Sequence, residues 1–352
     1  MIDISTDSAS PDEWDAYVEG HPEGRFCQLF GYRCVERVYG YKPWYLTFRS
    51  AGKIVGVLPC FEARSLLFGR RLLSQPFSEY GGFLLDQDLP AGERRAIVDS
   101  VRTFLHGKGL RVLETHGNYG MGAPDQELHV GNRQQLAYLD LEPSVEHLWD
   151  EVISRHVRKA VRKAEREGLR SFERTDEDML TTQFYPLYLR SMKRLGSPPH
   201  PAEFFLECHR ALEGKLRIFW TSYEDKPIAG LLGFSCGQRV SIVNTVSDER
   251  YWHLRPNDLI HWEYIKWARQ NGYRYFDFGS VRYAGQAQYK EKWGCSLKDS
   301  GYYFLAAEPG AAYQSFDSSS DAMTFAGKVW ANYVPEFFAR AAGPVLRKHL
   351  LR

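Results

Sequence analysis

The sequence contains two copies of one pattern, about 170 residues apart. Residues 46–58 and 218–232 each read as an apolar strand, a short polar turn and a second strand that begins near a lysine. Farther along, residues 104–114 and 267–277 each join a helix that ends at glycine to a strand that ends in a carboxylate. A repeat of this length is typical of a duplicated domain rather than of a solenoid unit. We therefore expect two domains built on the same plan.

Strands and helices alternate within each half of the chain. This alternation predicts an α/β fold with two tandem domains, each a mixed twisted sheet flanked by helices. We place the first domain at residues 1–144, the second at 145–307, and a linker with C-terminal amphipathic helices at 308–352. Residues 308–322 are rich in alanine, serine and aspartate and predict the linker, and the helices after it are expected to be split at Gly343-Pro344.

The composition excludes several classes of function. A formal net charge of +1 gives no overall case for a nucleic-acid or membrane protein. None of the six cysteines has CxxC spacing, so no zinc, thioredoxin-like or other metal site is predicted. Scattered thiols and a polar start without a secretory signal predict the reducing cytoplasm. No window of about 18 apolar residues is present, so no membrane-spanning helix is expected.

The most basic run of the chain is predicted to form a helix with one cationic face. The run lies in a helix predicted over Val145–Glu167. Small apolar side chains share one side of it, and five cations share the other, namely Arg155, Arg158, Lys159, Arg162 and Arg166. Such a face is either simply solvated, or it binds phosphates of a nucleotide-linked substrate, coenzyme A or tRNA. The near absence of acidic partners at i±4 favours phosphate binding, because the cations otherwise repel one another.

A second candidate site lies at the end of a predicted strand. The segment Phe276–Gly294 joins a strand end, a glycine-bearing loop and a short helix with Lys290 at its centre. Ligands collect at such strand ends in α/β folds, and a lysine there can neutralise a phosphate or an oxyanion. The other interpretation is a surface lysine beside a core tryptophan. Further substrate contacts are expected from Arg282, Tyr289 and Trp293.

Two loops are weaker candidates for substrate contacts. Gly81, which follows Tyr80 and precedes another glycine, lets backbone N–H groups approach a ligand, although a plain turn needs the same residues. His200 lies in the proline-rich loop 195–201, where it is a base, a substrate contact or neither.

The C-terminal helices are predicted to be amphipathic. Their apolar side carries Trp330, Tyr333, Phe337 and Phe338, and their basic side carries Arg340, Arg347, Lys348 and Arg352. One interpretation is weak, reversible attachment to anionic lipid. The alternative is that the aromatic side chains pack against the second domain.

Taken in order, these segments resemble the Fem-type (FemAB-like) branch of the GNAT acyltransferase superfamily. The resemblance rests on the hairpin, the Arg-Lys-Ala-x-Arg-Lys-Ala helix, the Gly-Ser-Pro-Pro-His-Pro loop, the Gly-Tyr-Arg-x-Phe-Asp-Phe-Gly strand and the Tyr-Lys-x-Lys-Trp-Gly helix. It covers roughly residues 10–305 and is strongest over 145–305. The Ala-Gly-Pro-Val-Leu-Arg tail is similar to FemAB-like proteins found beside exopolysaccharide genes.

The resemblance implies two tandem GNAT domains that act in cell-envelope biogenesis. Members of the family move an amino acid from aminoacyl-tRNA to an amine of a peptidoglycan precursor, and others are described only as acyltransferases. Lys290 matches the family lysine implicated in donor or transition-state stabilisation, and the basic helix matches its counterpart. Two departures matter. Ser280-Val281 replaces the usual Arg-Ser, with Arg282 the nearest arginine, and there is no room for a long helical arm between Leu180 and Lys215.

The comparison of the two repeats assigns the donor site. The first repeat ends at Glu114 without a lysine helix, whereas the second keeps Lys290, so we expect the acyl donor in the second domain. The acceptor is expected in the cleft between the domains, near Tyr80, Gly81 and His200. No Ser/His/Asp or Cys/His arrangement is legible, so direct transfer is favoured, with Asp277 or His200 taking the amine proton. The alternative role of Asp277 is to brace the loop.

Three functions remain open. The first is transfer of an aminoacyl group from aminoacyl-tRNA to an amine of a cell-envelope or secondary-metabolite precursor. The second is acyl-CoA-dependent N-acylation of an envelope sugar or polyamine, which is weakened because residues 255–258 lack the glycines of a pyrophosphate loop. The third is a catalytically silent double-GNAT binding module, which is favoured if Lys290 is buried in a structural pair. No cofactor is expected beyond the co-substrate, aminoacyl-tRNA or acyl-CoA.

Overall fold

The chain forms two compact units. The first comprises Met1–Gln134, Asp299–Asp317 and Arg347–Arg352, and the second comprises Gln135–Lys298 and Ser318–Leu346. The structure is a computed structural model, and it describes residues 2–6, 8–66, 69–121, 128–311 and 321–350.

Strands and helices alternate along the described residues. The strands are β1 (Ile2–Thr6), β2 (Lys42–Ser50), β3 (Lys53–Ser65), β4 (Gly69–Leu73), β5 (Leu84–Leu85), β6 (Val112–His116), β7 (His129–Asp140), β8 (Arg170–Glu173), β9 (Leu216–Tyr223), β10 (Lys226–Cys236), β11 (Arg239–Ser247), β12 (Tyr275–Val281) and β13 (Ser296–Ala306). The α-helices are α1 (Pro11–Gly20), α2 (Val35–Tyr39), α3 (Ala91–Gly107), α4 (Val145–His147), α5 (Arg155–Arg166), α6 (Tyr185–Arg194), α7 (Ala202–Ala211), α8 (Pro256–Gln270), α9 (Ala284–Glu291), α10 (Asp321–Tyr333) and α11 (Glu336–Leu350).

Both units are built on one plan, as the repeat predicts. In the first unit the hairpin β2–β3 is followed by antiparallel β4, then by α3, and then by β6, which pairs with β4 in parallel. In the second unit the hairpin β9–β10 is followed by antiparallel β11, then by α8, and then by β12, which pairs with β11 in parallel. The predicted fold class, two tandem GNAT-like domains each with a mixed sheet flanked by helices, is confirmed.

Each unit has its own hydrophobic core between its sheet and a helix. In the first unit α3 buries an apolar stripe on β2, β3, β4 and β6, and the stripe consists of Ile97, Val98, Val101 and Leu105. In the second unit α5 and α8 share a core with β7, β10, β11 and β12. The buried side of α8 is formed largely by Leu259, Ile260, Tyr264, Ile265 and Ala268. These cores fix the parallel strand pairs from one side.

The boundaries of the units differ from the predicted domain boundaries at two strands. We expected β7 to close the first half, but its residues Gln135–Asp140 pair with β12 in the second unit. We expected β13 to close the second half, but Tyr302–Ala306 pair with β6 in the first unit. The cause is long-range pairing, because the sequence beside each strand carries no signal for a partner more than a hundred residues away.

The basic run is confirmed as a helix, but the helix predicted over Val145–Glu167 is interrupted. After α4 and a π-helical turn at Leu148–Val152, Ile153 adopts an extended conformation. Ser154 then caps a new helix, because its hydroxyl accepts a hydrogen bond from the N–H of Val157. A serine N-cap satisfies a backbone donor that would otherwise lack a partner, and this favours a helix start here.

The C-terminal helices are present, but they are divided at a different proline. The break falls at Val334-Pro335, whereas Pro344 lies inside α11. A residue before proline is disfavoured in helical conformation, and a proline is well placed at a helix start, so Pro335 fits the break. Residues 312–320 of the predicted linker and the predicted basic residue Arg352 lie outside the described residues. The last part of the predicted linker, residues 308–322, is wrong, because α10 already begins at Asp321.

The inner side of the C-terminal helices packs within the second unit. Trp330, Ala339 and Gly343 are buried. The Lys193 ammonium of α6 donates a hydrogen bond to the Ala331 carbonyl at 3.2 Å. A Cβ at Gly343 would lie 2.3 Å from Pro199, so the helix backbone sits against the loop before α7. No helix of the described residues is long and apolar enough to cross a bilayer.

Candidate functional site

The second unit contains an opening between two parallel strands. β11 and β12 pair at only three positions, from Arg239↔Tyr275 to Ser241↔Asp277, although β11 continues to Ser247 and β12 to Val281. Beyond the last pair, the backbone N–H and carbonyl groups of the two strands no longer form hydrogen bonds with one another. In α/β sheets, ligands bind where neighbouring strands part at their carboxyl ends. The opening is therefore the first candidate for a donor site.

A bulge in β12 turns two carbonyl groups toward one lysine. The register of β12 against β7 shifts between Asp277 and Ser280, and Gly279 has a φ of +74°, which favours glycine. The Lys290 ammonium, on α9, donates hydrogen bonds to the carbonyls of Gly279 at 2.9 Å and of Ser280 at 2.6 Å. Its side chain is buried. Lys290 is therefore a brace for the end of β12 and a fixed positive charge beside the opening.

Asp277 shapes the same bulge. Its carboxylate Oδ1 accepts a hydrogen bond from the N–H of Gly279 at 2.8 Å, and its side chain is fully buried. A carboxylate that accepts from a backbone N–H two residues ahead stabilises a turn of this kind. The contact is the bracing one of the two roles considered for Asp277.

A histidine that the sequence analysis missed lies beside Lys290. His261 is buried on α8, with its ring stacked on Phe278 at 5.5 Å and edge-on to Tyr289 at 6.2 Å. Its Nδ1 lies 2.6 Å from the carbonyl of Asn257. A carbonyl only accepts, so Nδ1 carries the proton and Nε2 carries the lone pair.

The electrostatic surroundings keep His261 neutral. Burial, with a smaller contribution from the Lys290 ammonium, lowers the pKa of the imidazole to about 4 against the opposing hydrogen bond to Asn257. The only sequence signal is a histidine one turn after Asn257 on the otherwise apolar side of a helix. That pattern is more typical of a core histidine than of a functional one, so the sequence alone does not indicate a site at His261.

The first turn of α8 contains a proline and a carboxyl group. Arg255 precedes the helix with a φ of +67°, and Pro256 at the first helical position has no N–H to offer. Burial raises the pKa of Asp258 in the first turn, although Arg255 and Lys292 oppose the effect. Helix amino ends bind phosphate through free N–H groups and a positive dipole. This one is poorly suited to a diphosphate.

The basic helix begins next to α9. The N–H of Ser154, which caps α5, donates to the carbonyl of Lys292 at 2.9 Å. The neighbouring turn is equally close, since a Cβ at Gly294 would lie 2.3 Å from the side chain of Val152. These contacts fix the start of the cationic face near the segment that carries Lys290.

The cations of α5 differ in how they are held. The Arg158 guanidinium donates to the carbonyl of Asp150 at 2.7 Å and forms an ion pair of 3.5 Å with its carboxylate. The Arg162 guanidinium lies 5.7 Å from the ring centre of Trp149. Arg155, Lys159 and Arg166 are exposed and form no ion pair with any residue in the described part of the chain. The acidic partner of Arg158 lies eight residues upstream, beyond the i±4 positions considered in the sequence.

The remaining predicted residues of the second unit fall into two groups. Tyr289 and Trp293 lie with Lys290 and His261 in one cluster of side chains. Arg282 is exposed at the start of α9, where its N–H donates to the Gln286 side chain at 2.9 Å. Burial raises the pKa of the Tyr289 phenol, and the nearby Asp258 carboxylate adds to the rise.

His200 is placed in a different cluster. Its ring is buried and stacks on Phe204 at 4.0 Å. The backbone N–H of His200 donates to the Tyr188 hydroxyl at 3.0 Å, and the backbone carbonyl of His200 accepts from the Tyr185 hydroxyl at 3.1 Å. These contacts give His200 a packing role in the loop before α7.

The corresponding strand pair of the first unit is closed by its own loop. β4 and β6 pair in parallel at two positions, after which the N–H of Ser74 donates to the carbonyl of Glu114 at 2.7 Å. The N–H of His116 donates to the Ser74 hydroxyl at 3.3 Å, and His116 Nδ1 lies 2.7 Å from the carbonyl of Ser78. Hydrogen bonds within the first unit therefore bridge the ends of this strand pair.

Tyr80 and Gly81 belong to this closing loop. The Tyr80 ring is buried, with the Arg25 guanidinium 5.4 Å from its centre. Gly81 has a φ of +133°, and a Cβ there would lie 2.8 Å from Gln75. Both residues are therefore buried within the first unit.

Comparisons with known proteins agree with this fold. Residues 153–291 match the family model described as an acetyltransferase (GNAT) domain. A crystal structure of FemX is similar, with a TM-score of 0.72, 16% identity, and coverage of 86% of this chain and 97% of that chain. No curated protein sequence matches.

Two further solved structures are similar over most of both chains. A tandem GNAT protein from the clavulanic acid biosynthesis pathway has a TM-score of 0.54 and 12% identity, with coverage of 88% of this chain and 100% of that chain. L-PGS from Bacillus licheniformis has a TM-score of 0.54 and 14% identity, with coverage of 93% and 98%. The resemblance to the Fem-type branch of the GNAT superfamily is confirmed at the level of fold. These matches support an acyltransferase, without specifying its donor or acceptor.

Proposed function

We propose that the chain transfers an aminoacyl group from aminoacyl-tRNA to an amine of a cell-envelope or secondary-metabolite precursor. Charged tRNA is a cytoplasmic donor, so the reaction belongs in that compartment. The proposal rests first on one observation, the contact between Ser154 and Lys292. That contact holds the start of the cationic face of α5 beside the segment whose lysine borders the strand opening, which supports binding of phosphates there.

The exposed cations of α5 suit a tRNA backbone. Arg155, Lys159 and Arg166 project from one side of a three-turn helix and lack ion-pair partners in the described chain. Phosphate contacts by such side chains give affinity without base specificity and release counterions. An aminoacyl ester at the end of the bound strand would then lie against the opening between β11 and β12.

The amino end of α8 argues against coenzyme A. A coenzyme A diphosphate needs several backbone N–H groups, and Pro256 supplies none. The Asp258 carboxyl stands in the same first turn. Both features weaken a diphosphate site, whereas an aminoacyl ester carries no diphosphate next to the reacting carbonyl.

The chemistry requires one bond to form and one to break. The acceptor amine attacks the ester carbonyl, the C–N bond forms, and the C–O bond to the ribose breaks. The amine loses a proton, and the departing ribose oxygen gains one. The fixed Lys290 charge stabilises the oxyanion that forms between these steps, and alignment of the two reactants supplies much of the remaining rate.

A direct product assay tests the proposal. The purified chain is offered charged tRNA and an acyl-CoA mixture separately, with a pool of amine acceptors, and products are identified by mass spectrometry. We expect aminoacylated amines only with charged tRNA. Products formed only from acyl-CoA would show that the donor assignment is wrong.

The binding-module interpretation is the second candidate, and one observation favours it. Lys290 is buried and held by two carbonyls, which is sufficient to explain it as a structural residue. The same assay distinguishes an acyltransferase from a binding module. A silent module gives no product with either donor, although it still binds tRNA or precursor.

A further inference from the structure

The outer side of the C-terminal helices exposes an unusual amount of apolar surface. Seven of the fourteen exposed large hydrophobic residues of the described chain lie in α10, α11 and their junction. They are Phe325, Val329, Tyr333, Phe337, Phe338, Val345 and Leu346, and we call them the outer apolar surface. Proteins rarely expose large hydrophobic side chains in such density unless a partner covers them.

Most of these side chains share one face of their helix. In α10, Phe325, Val329 and Tyr333 are spaced by four residues and therefore share one face. In α11, Phe337 and Val345 lie on the side opposite Ala339 and Gly343, which are buried. The inner sides hold the helices on the unit, so the outer stripes are presented in a fixed arrangement.

The charge around the surface identifies the partner. Residues 321–350 contain two acidic residues, Asp321 and Glu336, and four basic ones, Lys328, Arg340, Arg347 and Lys348. Lys328 is exposed three residues after Phe325, and Arg340 is exposed three residues after Phe337. Exposed aromatic side chains flanked by cations suit a membrane interface with anionic headgroups, because the rings enter the acyl boundary and the cations remain with phosphate.

We propose that the outer apolar surface docks the protein on an anionic lipid bilayer. Binding is peripheral and reversible, since the surface is one face of two short helices. It does not depend on the proposed reaction, and a protein without transfer activity would bind in the same way. Binding needs both the outer apolar surface and the exposed cations, because neither a few exposed rings nor two exposed cations alone hold a protein at a membrane.

Vesicle co-sedimentation tests the proposal. The full chain is mixed with two kinds of vesicle at low and high salt. One is phosphatidylcholine alone, and the other contains about 30% of the anionic lipid phosphatidylglycerol. We expect sedimentation with the anionic vesicles only, and release at high salt. The variant Phe325→Ser/Tyr333→Ser/Phe337→Ser should lose at least about tenfold in partitioning at an unchanged melting temperature, because all three side chains are exposed. Phe172→Ser, an exposed aromatic outside the two helices, is the matched control.

A second variant keeps the test decisive if the triple variant misfolds. Lys328→Glu retains the apolar surface and reverses one exposed charge, so binding to anionic vesicles should fall while the fold is kept. Light scattering on the same protein preparations without vesicles reports the oligomeric state of the protein. Failure of the wild type to bind anionic vesicles, equal binding by all variants, or a wild-type dimer that the triple variant converts to monomers would each overturn the proposal. The last result would assign the surface to a second copy of the chain.

Discussion

At the scale of single residues, Lys290 has both a structural and a proposed chemical role. Its ammonium holds the carbonyls of Gly279 and Ser280 at the end of β12. The same charge lies beside His261, whose pKa it lowers. A residue with two such roles is expected to affect both stability and turnover when it is changed.

We predict that Lys290→Met lowers turnover by at least about tenfold, which corresponds to on the order of 1.4–3 kcal/mol of lost transition-state stabilisation. It should also lower stability by about 1–3 kcal/mol, because two buried carbonyls lose their donor. Turnover and urea unfolding are measured on the same preparation. Lys292→Met, an exposed lysine two residues away, is the matched control. Wild-type turnover in folded Lys290→Met would remove the chemical role.

The buried His261 predicts a pH dependence of stability. Its folded pKa of about 4 lies below the ordinary value of 6.5, so the unfolded state binds more protons between these values. The contribution of the neutral ring is therefore present above about pH 6.5 and is lost as the pH falls toward 4.

Urea unfolding of the wild type and His261→Gln at pH 7.5 and pH 5 measures this effect. We expect the wild type to lose about 2 kcal/mol more than the variant over this interval, since one unit of pKa corresponds to about 1.4 kcal/mol. Parallel losses in the two proteins would mean that the ring is not buried as described.

At the scale of secondary structure, the basic helix α5 tests the donor. Arg155→Glu/Lys159→Glu should raise the Kd for tRNA and flatten its dependence on salt, because two phosphate contacts are lost. Both residues are exposed and unpaired in the described chain, so the fold is expected to be unchanged. Binding is measured across a salt series, with the exposed pair Arg170→Glu/Lys226→Glu of the same unit as control. A salt slope equal to that of the wild type would show a merely solvated face.

The inner and outer sides of the C-terminal helices predict opposite effects on stability. Trp330→Ala should lower the melting temperature by more than about 5 °C, because a buried indole is lost. Tyr333→Ala, three residues on and 79% exposed, should leave it nearly unchanged. Thermal unfolding of the two variants and of the wild type measures these melting temperatures. Equal melting temperatures would mean that α10 is not packed on the unit.

The sequence allowed prediction of some elements and not of others. The repeated hairpins were readable because each is local, with a turn and alternating apolar residues. The basic face of α5 was readable from helical spacing. The interruption before α5 was not readable, because the apolar Ile153 continues the helical pattern, although the chain is extended there and a new helix starts at the N-cap Ser154. The role of His261 was hidden, since its neutral state depends on burial by residues distant in sequence.

At the scale of the whole chain, duplication produced two parallel strand pairs with different outcomes. In the first unit the loop containing Ser74 and Ser78 bridges the pair, and in the second the pair is open. The assignment of the long-range strands β7 and β13 to opposite units could not be read from local pattern. We propose that only the second strand pair binds the donor, together with the cationic face of α5.

Hydrogen–deuterium exchange with a non-hydrolysable aminoacyl-tRNA analogue tests this claim most directly. The account predicts slower exchange in residues 239–247, 275–294 and 155–166 on binding, with no change in 72–83 and 112–116. Protection of the first-unit strands instead, or protection by coenzyme A but not by the tRNA analogue, would contradict it.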